Sequence, residues 1–294
     1  YFLYHWKGGA PTRYWNEIFM RNGETVETAQ TDWGPDLVRD HALTFMETHK
    51  DEPFLLYYPM HLPHSRWYAT PDSGVDEPWN KKGKKFFADH VAYIDKIVGQ
   101  IDKKLKDLGI RENTLFMFTS DNGTSRHITS ILNGEEVPGR KGTHEETATH
   151  VPLIVNYPKI QKGGQVVDDL IGLTDFFPTL LEAAGIQKPE NLHLDGRSFL
   201  PRIRGEKGTP REWLFFSYPG KGWQPAGTWV RGKRFTLTVN GELYDRKKDP
   251  LQKNAIRPGE ASPAAKKARK DLSKVLERME KEWKKTRNEK IWGK

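Results

Sequence analysis

A carboxylate beside a carboxamide, two histidines three residues apart and a glycine-flanked lysine are the groups with chemistry to offer. Asp121 and Asn122 stand in "LFMFTSDNGT" (115–124), where four apolar residues run straight into Thr-Ser-Asp-Asn-Gly. Their oxygens are hard donors, suited to calcium or magnesium rather than zinc. The same residues also favour turns, and both readings stand at this point. His61 and His64 end an apolar run in "PFLLYYPMHLPHSRW" (53–67). Lys141, in "GRKGTHEETATHVPLIV" (139–155), lies between Gly139 and Gly142 ahead of another apolar run. A lysine, a histidine and a hard-cation pair converging on one edge describe a site for a tetrahedral oxyanion. The metal and the ammonium neutralise charge, and the imidazole donates or transfers a proton.

The elements that must position these groups alternate. "PDLVRDHALTFMETHK" (35–50) reads as a helix and "PFLLYYPM" (53–60) as a strand. Residues 85–108 read as a long helix with Phe87, Val91, Ile94, Ile97, Val98, Ile101, Leu105 and Leu108 inward. "TLFMFTS" and "VPLIVNYP" are strands, and "TDFFPTLLEAAG" is a helix that stops at Gly185. Such alternation with apolar strands predicts a doubly wound, mostly parallel sheet covered on both faces, with ligands beyond the carboxyl ends of its strands. After "GRSFLPRIRGEKGTP" the texture changes to "WLFFSYP", "GTWVRGK", "RFTLTVNG" and "ELYDRKKDP", short strands of a small antiparallel sheet. The expected boundary lies near Gly205, giving an α/β part at 1–205 and a C-terminal part at 206–294.

Composition sets the frame. The chain has 294 residues, 36% hydrophobic and 29% charged, with no cysteine and hence no disulfide, thiolate metal site or cysteine nucleophile. No apolar run approaches the roughly 20 residues of a membrane span. The net charge of +8 is concentrated in "KKARKDLSKVLERMEKEWKKTRNEK". Leu272, Val275, Leu276, Met279 and Trp283 fall there at helical spacing. This predicts an amphipathic surface helix over about 264–285 with a solvated basic face. The alternative is attraction to a polyanion, whether nucleic acid, acidic membrane or sulfated glycan. No base-stacking pattern accompanies the charge, so no nucleic-acid partner is expected. Ten tryptophans and ten tyrosines, several expected in loops (Trp6, Trp15, Trp67, Trp79, Trp223, Trp229), suit either stacking on sugar rings or core positions.

The order of "PFLLYYPMHLPH", "FTSDNGT", "GRKGTHEETATHVPLIV", "LTDFFPTLLEAAG", "LDGRSFLP" and "ELYDRKKDP" resembles the sulfatase family of the alkaline-phosphatase superfamily, over about residues 25–256. The resemblance implies an alkaline-phosphatase-like α/β domain with a small antiparallel C-terminal subdomain, and hydrolysis of sulfuric esters. It also implies a calcium or magnesium ion at the sulfate. Carried over residue by residue, Asp121 and Asn122 match a pair of metal ligands. Lys141 matches the lysine on the sulfate and leaving oxygen, and His64 the histidine at the leaving oxygen. His61 and His144 are candidates for substrate contact. His150 stands where many members have arginine before Val-Pro, so an ion pair built on that arginine is not expected.

The family's first aspartate pair, and the Cys- or Ser-x-Pro-Ser-Arg stretch whose first residue becomes formylglycine, match nothing here. The one Ser-Pro is Ser262-Pro263, without the following Ser-Arg. The chain therefore reads as the downstream part of a sulfatase, with the formylglycine expected upstream and no nucleophile of its own. Sulfated carbohydrate or aryl sulfate is the expected substrate. Phosphoester or phosphonate hydrolysis is the alternative within the superfamily, and non-catalytic polyanion binding the alternative outside it. The resemblance alone favours a periplasmic or secreted location.

Overall fold

The computed structural model describes residues 2–4, 13–161, 163–218 and 227–288, with side chains over 13–161, 163–218 and 227–283. Trp6 and Trp223 lie outside the described residues. The chain forms two compact units, Tyr1–Leu115 and Phe116–Lys294. The boundary expected near Gly205 falls inside the second.

In the first unit β1 (Phe2–Tyr4), β2 (Phe19–Arg21) and β3 (Glu24–Val26) form an antiparallel sheet in that order. Asn22 and Gly23 both take positive φ between β2 and β3, as a two-residue hairpin turn demands. Helix α1 (Gly34–Thr48) starts on Gly-Pro-Asp, with proline where no N–H is missed and a carboxylate in the first turn. Helix α2 spans Phe87–Asp107. Its buried face is His90, Tyr93, Ile97, Ile101 and Leu105, while Val91 is 46% exposed. The stripe is thus rotated from the aliphatic one expected, because α2 covers an aromatic cluster. Tyr14 stacks on Trp33 at 5.2 Å and meets His90 edge-on at 4.8 Å, and Tyr93 meets Trp33 at 5.7 Å. Inside, His90 Nε2 donates to the Tyr68 carbonyl at 2.8 Å and the Tyr93 hydroxyl to the Asp36 carboxylate at 2.8 Å.

Residues 53–60 are not a strand. They alternate between half-buried and exposed, with Leu55 68% and Tyr57 83% exposed, but no ladder partner lies among the described residues. The period-2 pattern is present, and the pairing that makes a strand is missing.

In the second unit β4 (Phe116–Thr119) leads to the hairpin of β5 (Thr129–Leu132) and β6 (Glu135–Pro138), the single turn α3 (Glu146–Thr149) and β7 (Leu153–Asn156). Strand β7 pairs with β4 antiparallel, and every pairing between described strands is antiparallel. The parallel pairing expected here needs a long crossover, usually a helix. The chain between β4 and β7 offers only a hairpin and one helical turn, so it returns in the opposite sense.

Helix α4 (Phe176–Ala183) ends as expected: Gly185 has φ +69°, and the bonds Gly185 N to Glu182 O and Ile186 N to Leu181 O complete a Schellman motif. Ahead of it, Asp175 is buried and gripped by Arg211 at 2.8 and 2.5 Å and by the Arg197 amide at 2.7 Å. A Cβ on Gly196 would lie 1.8 Å from the Thr174 carbonyl oxygen. The "LTDFF" and "LDGRSF" stretches are thereby one structural joint.

After α5 (Leu200–Ile203), strands β8 (Trp213–Tyr218), β9 (Gly227–Gly232), β10 (Phe235–Thr238) and β11 (Leu243–Asp245) form the expected antiparallel meander. Helix α6 (Pro263–Asn288) lays Leu272 and Leu276 on Val230, Phe235, Leu237 and Leu243, with Val275 partly buried beside them. Trp15, Trp67 and Trp229 are buried, and Trp229 is in β9. They are core residues and give the sugar-stacking expectation no support.

Candidate active site

The chain leaves β4 through Ser120, Asp121, Asn122 and Gly123. The Ser120 hydroxyl donates to the Asn122 carbonyl at 3.0 Å, and the Gly123 amide donates to the Ala148 carbonyl of α3 at 2.8 Å. A Cβ on Gly123 would stand 2.0 Å from the Thr147 carbonyl oxygen, so only glycine allows this approach. Asp-Asn-Gly is a turn, and it presents an exposed carboxylate and a half-buried carboxamide at a strand end.

Lys141 comes to the same turn. Its amide donates to the Thr124 carbonyl at 3.1 Å, and Arg126 Nε donates to the Lys141 carbonyl at 3.1 Å. A Cβ on Gly139 would meet Ser125 O at 2.1 Å. Gly142 follows at φ +89°. Gly139 thus lets the Lys141 segment lie against Thr124 and Ser125, just beyond the Asp121–Asn122 turn, and Gly142 turns the chain after it.

His144 points elsewhere. Its ring packs on Tyr244 at 4.9 Å and lies 6.4 Å from Trp229. Burial lowers its pKa, with the nearby charge of Arg231 acting the same way against the opposing pull of Glu145 and Glu242. Its carbonyl accepts from Arg231 Nη2 at 2.9 Å and from Gln252 Nε2 at 3.3 Å. These contacts fit a loop anchor, and substrate contact by His144 gains no support from them. Beside it, Glu146 takes two bonds from Arg246, at 2.8 and 2.6 Å. Burial opposes the charge on Glu146, yet bonds from His150 and Arg246 and the charge of Arg231 hold its carboxyl well below the usual range. His150 lies 3.0 Å from Glu146 Oε1, so histidine does form an ion-pair contact when protonated, while Arg246 carries the forked pair. Glu146, Arg231 and Arg246 escape a reading of the sequence. The one signal it offers is an arginine set beside the apolar "ELY".

His61 and His64 belong to the first unit. The hydroxyl of buried Tyr14 donates to the carbonyls of His61, at 3.3 Å, and of His64, at 2.6 Å, pinning the turn that holds both. Glu17, 2% exposed, places Oε1 3.7 Å from His61 Nδ1. Burial, with Arg13 and His64 adding to it, pushes the His61 pKa down to about 4. His61 is therefore neutral at physiological pH and poorly suited to donate a proton. His64 is exposed, and its Nδ1 contacts the Ser65 carbonyl. A carbonyl only accepts, so Nδ1 carries the hydrogen in that contact. Tyr14 and Glu17 are equally hidden in the sequence, for they precede the histidines by more than forty residues.

A calcium ion takes about six to eight oxygen ligands. Asp121 and Asn122 supply two side-chain oxygens, and among the described residues no group of three or more His, Cys, Asp or Glu is arranged to hold a metal. The described residues fit a part of a cation site and do not make one.

A family model described as Sulfatase matches residues 20–186, more than half of the chain. A second, described as N-sulphoglucosamine sulphohydrolase, C-terminal, matches residues 140–282. Arylsulfatase D of Homo sapiens is 26% identical over 71% of this chain and 36% of its own length. An uncharacterized sulfatase of Escherichia coli (strain K12) is 32% identical over 69% of this chain and 37% of its own length. N-acetylglucosamine-6-O-sulfatase of Bacteroides thetaiotaomicron is 29% identical, with the same two shares. The chain spans little more than a third of the length of these curated relatives. A solved structure in complex with its substrate D-glucosamine-2-N,6-O-disulfate aligns with TM-score 0.70 at 21% identity, covering 92% of this chain and 74% of that one.

Proposed function

The chain belongs to the sulfatase family, and on that premise we propose that the protein is a sulfuric ester hydrolase acting on sulfated carbohydrate. The observation that carries the reading is the bond from the Lys141 amide to the Thr124 carbonyl, which sets the lysine beside the Asp121–Asn122 turn. In this reading the Lys141 ammonium neutralises charge on the sulfuryl oxygens and on the leaving oxygen. The family resemblance gives His64 the transfer of a proton to the departing alcohol. Asp121 and Asn122 would supply two oxygens to a divalent cation, whose chemistry would be to polarise the sulfate. No residue of this chain accounts for the family's formylglycine nucleophile.

The sugar is supported by two likenesses. One relative is an N-acetylglucosamine-6-O-sulfatase, and one structural neighbour was solved with a disulfated glucosamine. The test is a substrate panel on the protein in its natural length. Release of inorganic sulfate from aryl sulfate and from sulfated glucosamine is expected. Faster turnover of the matching aryl phosphate would replace the sulfatase reading with phosphoester hydrolysis.

A further inference from the structure

The loop that carries Lys141 is held by charge from the C-terminal sheet. Arg246, directly after β11, makes two parallel bonds to Glu146, Nε to Oε2 at 2.8 Å and Nη2 to Oε1 at 2.6 Å. Its Nη1 also bonds the Gly232 carbonyl at 3.0 Å, which fixes the guanidinium from behind. Arg231 of β9, 3% exposed, places Nη2 3.8 Å from Glu146 Oε2 and donates from that nitrogen to the His144 carbonyl at 2.9 Å. On its other side the same segment is tied to the Asp121–Asn122 turn, through Gly123 N to Ala148 O and Lys141 N to Thr124 O. Lys141 sits between these ties, in a turn closed by the bond from Thr143 N to Arg140 O at 3.1 Å.

Stability alone explains this arrangement poorly. Burying a carboxylate with two guanidinium groups carries a desolvation cost, and apolar residues of similar volume often hold two elements together as well or better. What a forked ion pair adds is a fixed distance and plane. A side chain in a short turn inherits the placement of the segment that anchors the turn, and here Glu146 anchors the chain three residues beyond Thr143.

We propose that Glu146, Arg246 and Arg231 form a positioning clamp for Lys141, through which the C-terminal sheet sets where the ammonium meets the sulfate ester. The clamp rests on the reading of Lys141 as the sulfate contact.

The experiment uses the protein in its natural length, with aryl sulfate as substrate and amide hydrogen exchange across 139–146 as a readout independent of activity. Lys141→Ala lowers kcat by roughly a hundredfold to a thousandfold. Arg246→Gln lowers kcat by about tenfold to a hundredfold, as a displacement of roughly an ångström does, with KM little changed. It also speeds exchange across 139–146. Arg246→Lys recovers kcat only in part, because an ammonium lacks the fork. Should Arg246→Gln prove insoluble, Glu146→Gln is read in the same way. Wild-type turnover in Lys141→Ala would remove the functional reading, while faster exchange in Arg246→Gln would still uphold the clamp on the loop. Unchanged exchange in a folded Arg246→Gln overturns the clamp. So does faster exchange with wild-type kcat where Lys141→Ala is impaired.

Discussion

At the scale of the residue, legibility depends on whether partners lie close in sequence. Asp121, Asn122 and Lys141 can be singled out because glycines mark the turns that carry them, and two of these, Gly123 and Gly139, leave a Cβ no room beside carbonyl oxygens in the structure. The Glu146–Arg246 pair spans 100 residues, and no local pattern announces it. His90 is hidden for a similar reason, since its aliphatic neighbours dominate the helical period. Its Nε2 donates to Tyr68 O, its Nδ1 has no partner among the described residues, and burial pushes its pKa down to about 4. A proton added at Nδ1 would be buried without an acceptor. The folded value lies below the unfolded one of about 6.5. The group's contribution to stability is therefore complete above that pH and is lost as pH falls toward 4. His61, also lowered to about 4, acts in the same direction. Denaturant titrations between pH 7 and 4 should show a loss on the order of 3 kcal/mol from His90. His90→Gln should flatten that slope, and an unaltered slope in the variant would contradict the assignment.

At the scale of the element, periodicity locates the helices well and fails where pairing or facing depends on a distant surface. The C-terminal helix α6 is readable from Leu272, Val275 and Leu276 alone, because one apolar stripe has one way to be covered. The inward face of α2 departs from the aliphatic expectation because the surface beneath it is aromatic and accepts His90 and Tyr93. The sense of the β4–β7 pairing depends on what the intervening chain builds, which apolar runs do not reveal. Two predictions belong here. Leu276→Ala, on the buried side of α6, should lower unfolding free energy by about 2–5 kcal/mol without changing the site. A loss near zero in a thermal or denaturant melt would mean that α6 does not hold the sheet. Gly123→Ala should break the contact between the β4 exit and α3, since its Cβ would lie 2.0 Å from Thr147 O. Turnover and melting temperature should both fall, and wild-type behaviour in both would show that the turn yields freely.

At the scale of the whole molecule, the order of the motif stretches along the chain points to the sulfatase family, and the family match over residues 20–186 agrees. The tryptophans are the misleading part, for composition does not separate core aromatics from a sugar platform. The sequence holds no cysteine, and among the described residues no group of three or more His, Cys, Asp or Glu is arranged to hold a metal. Calorimetry on this chain alone should accordingly show no tight calcium binding, and aryl sulfate should survive incubation with it. Tight binding would reveal further ligands within the chain.

The central claim is that the Asp121–Asn122 turn and Lys141 form part of a sulfate-ester site, and one measurement bears on it most directly. Aryl-sulfate turnover is compared between the natural-length protein, with its formylglycine verified by mass, and its Lys141→Ala variant. Removing a charge that meets the ester in the transition state is expected to lower kcat by roughly a hundredfold to a thousandfold. The melting temperature should be nearly unchanged, because Lys141 is held through its backbone amide and not its side chain. A folded Lys141→Ala variant that turns over at the wild-type rate would contradict the account.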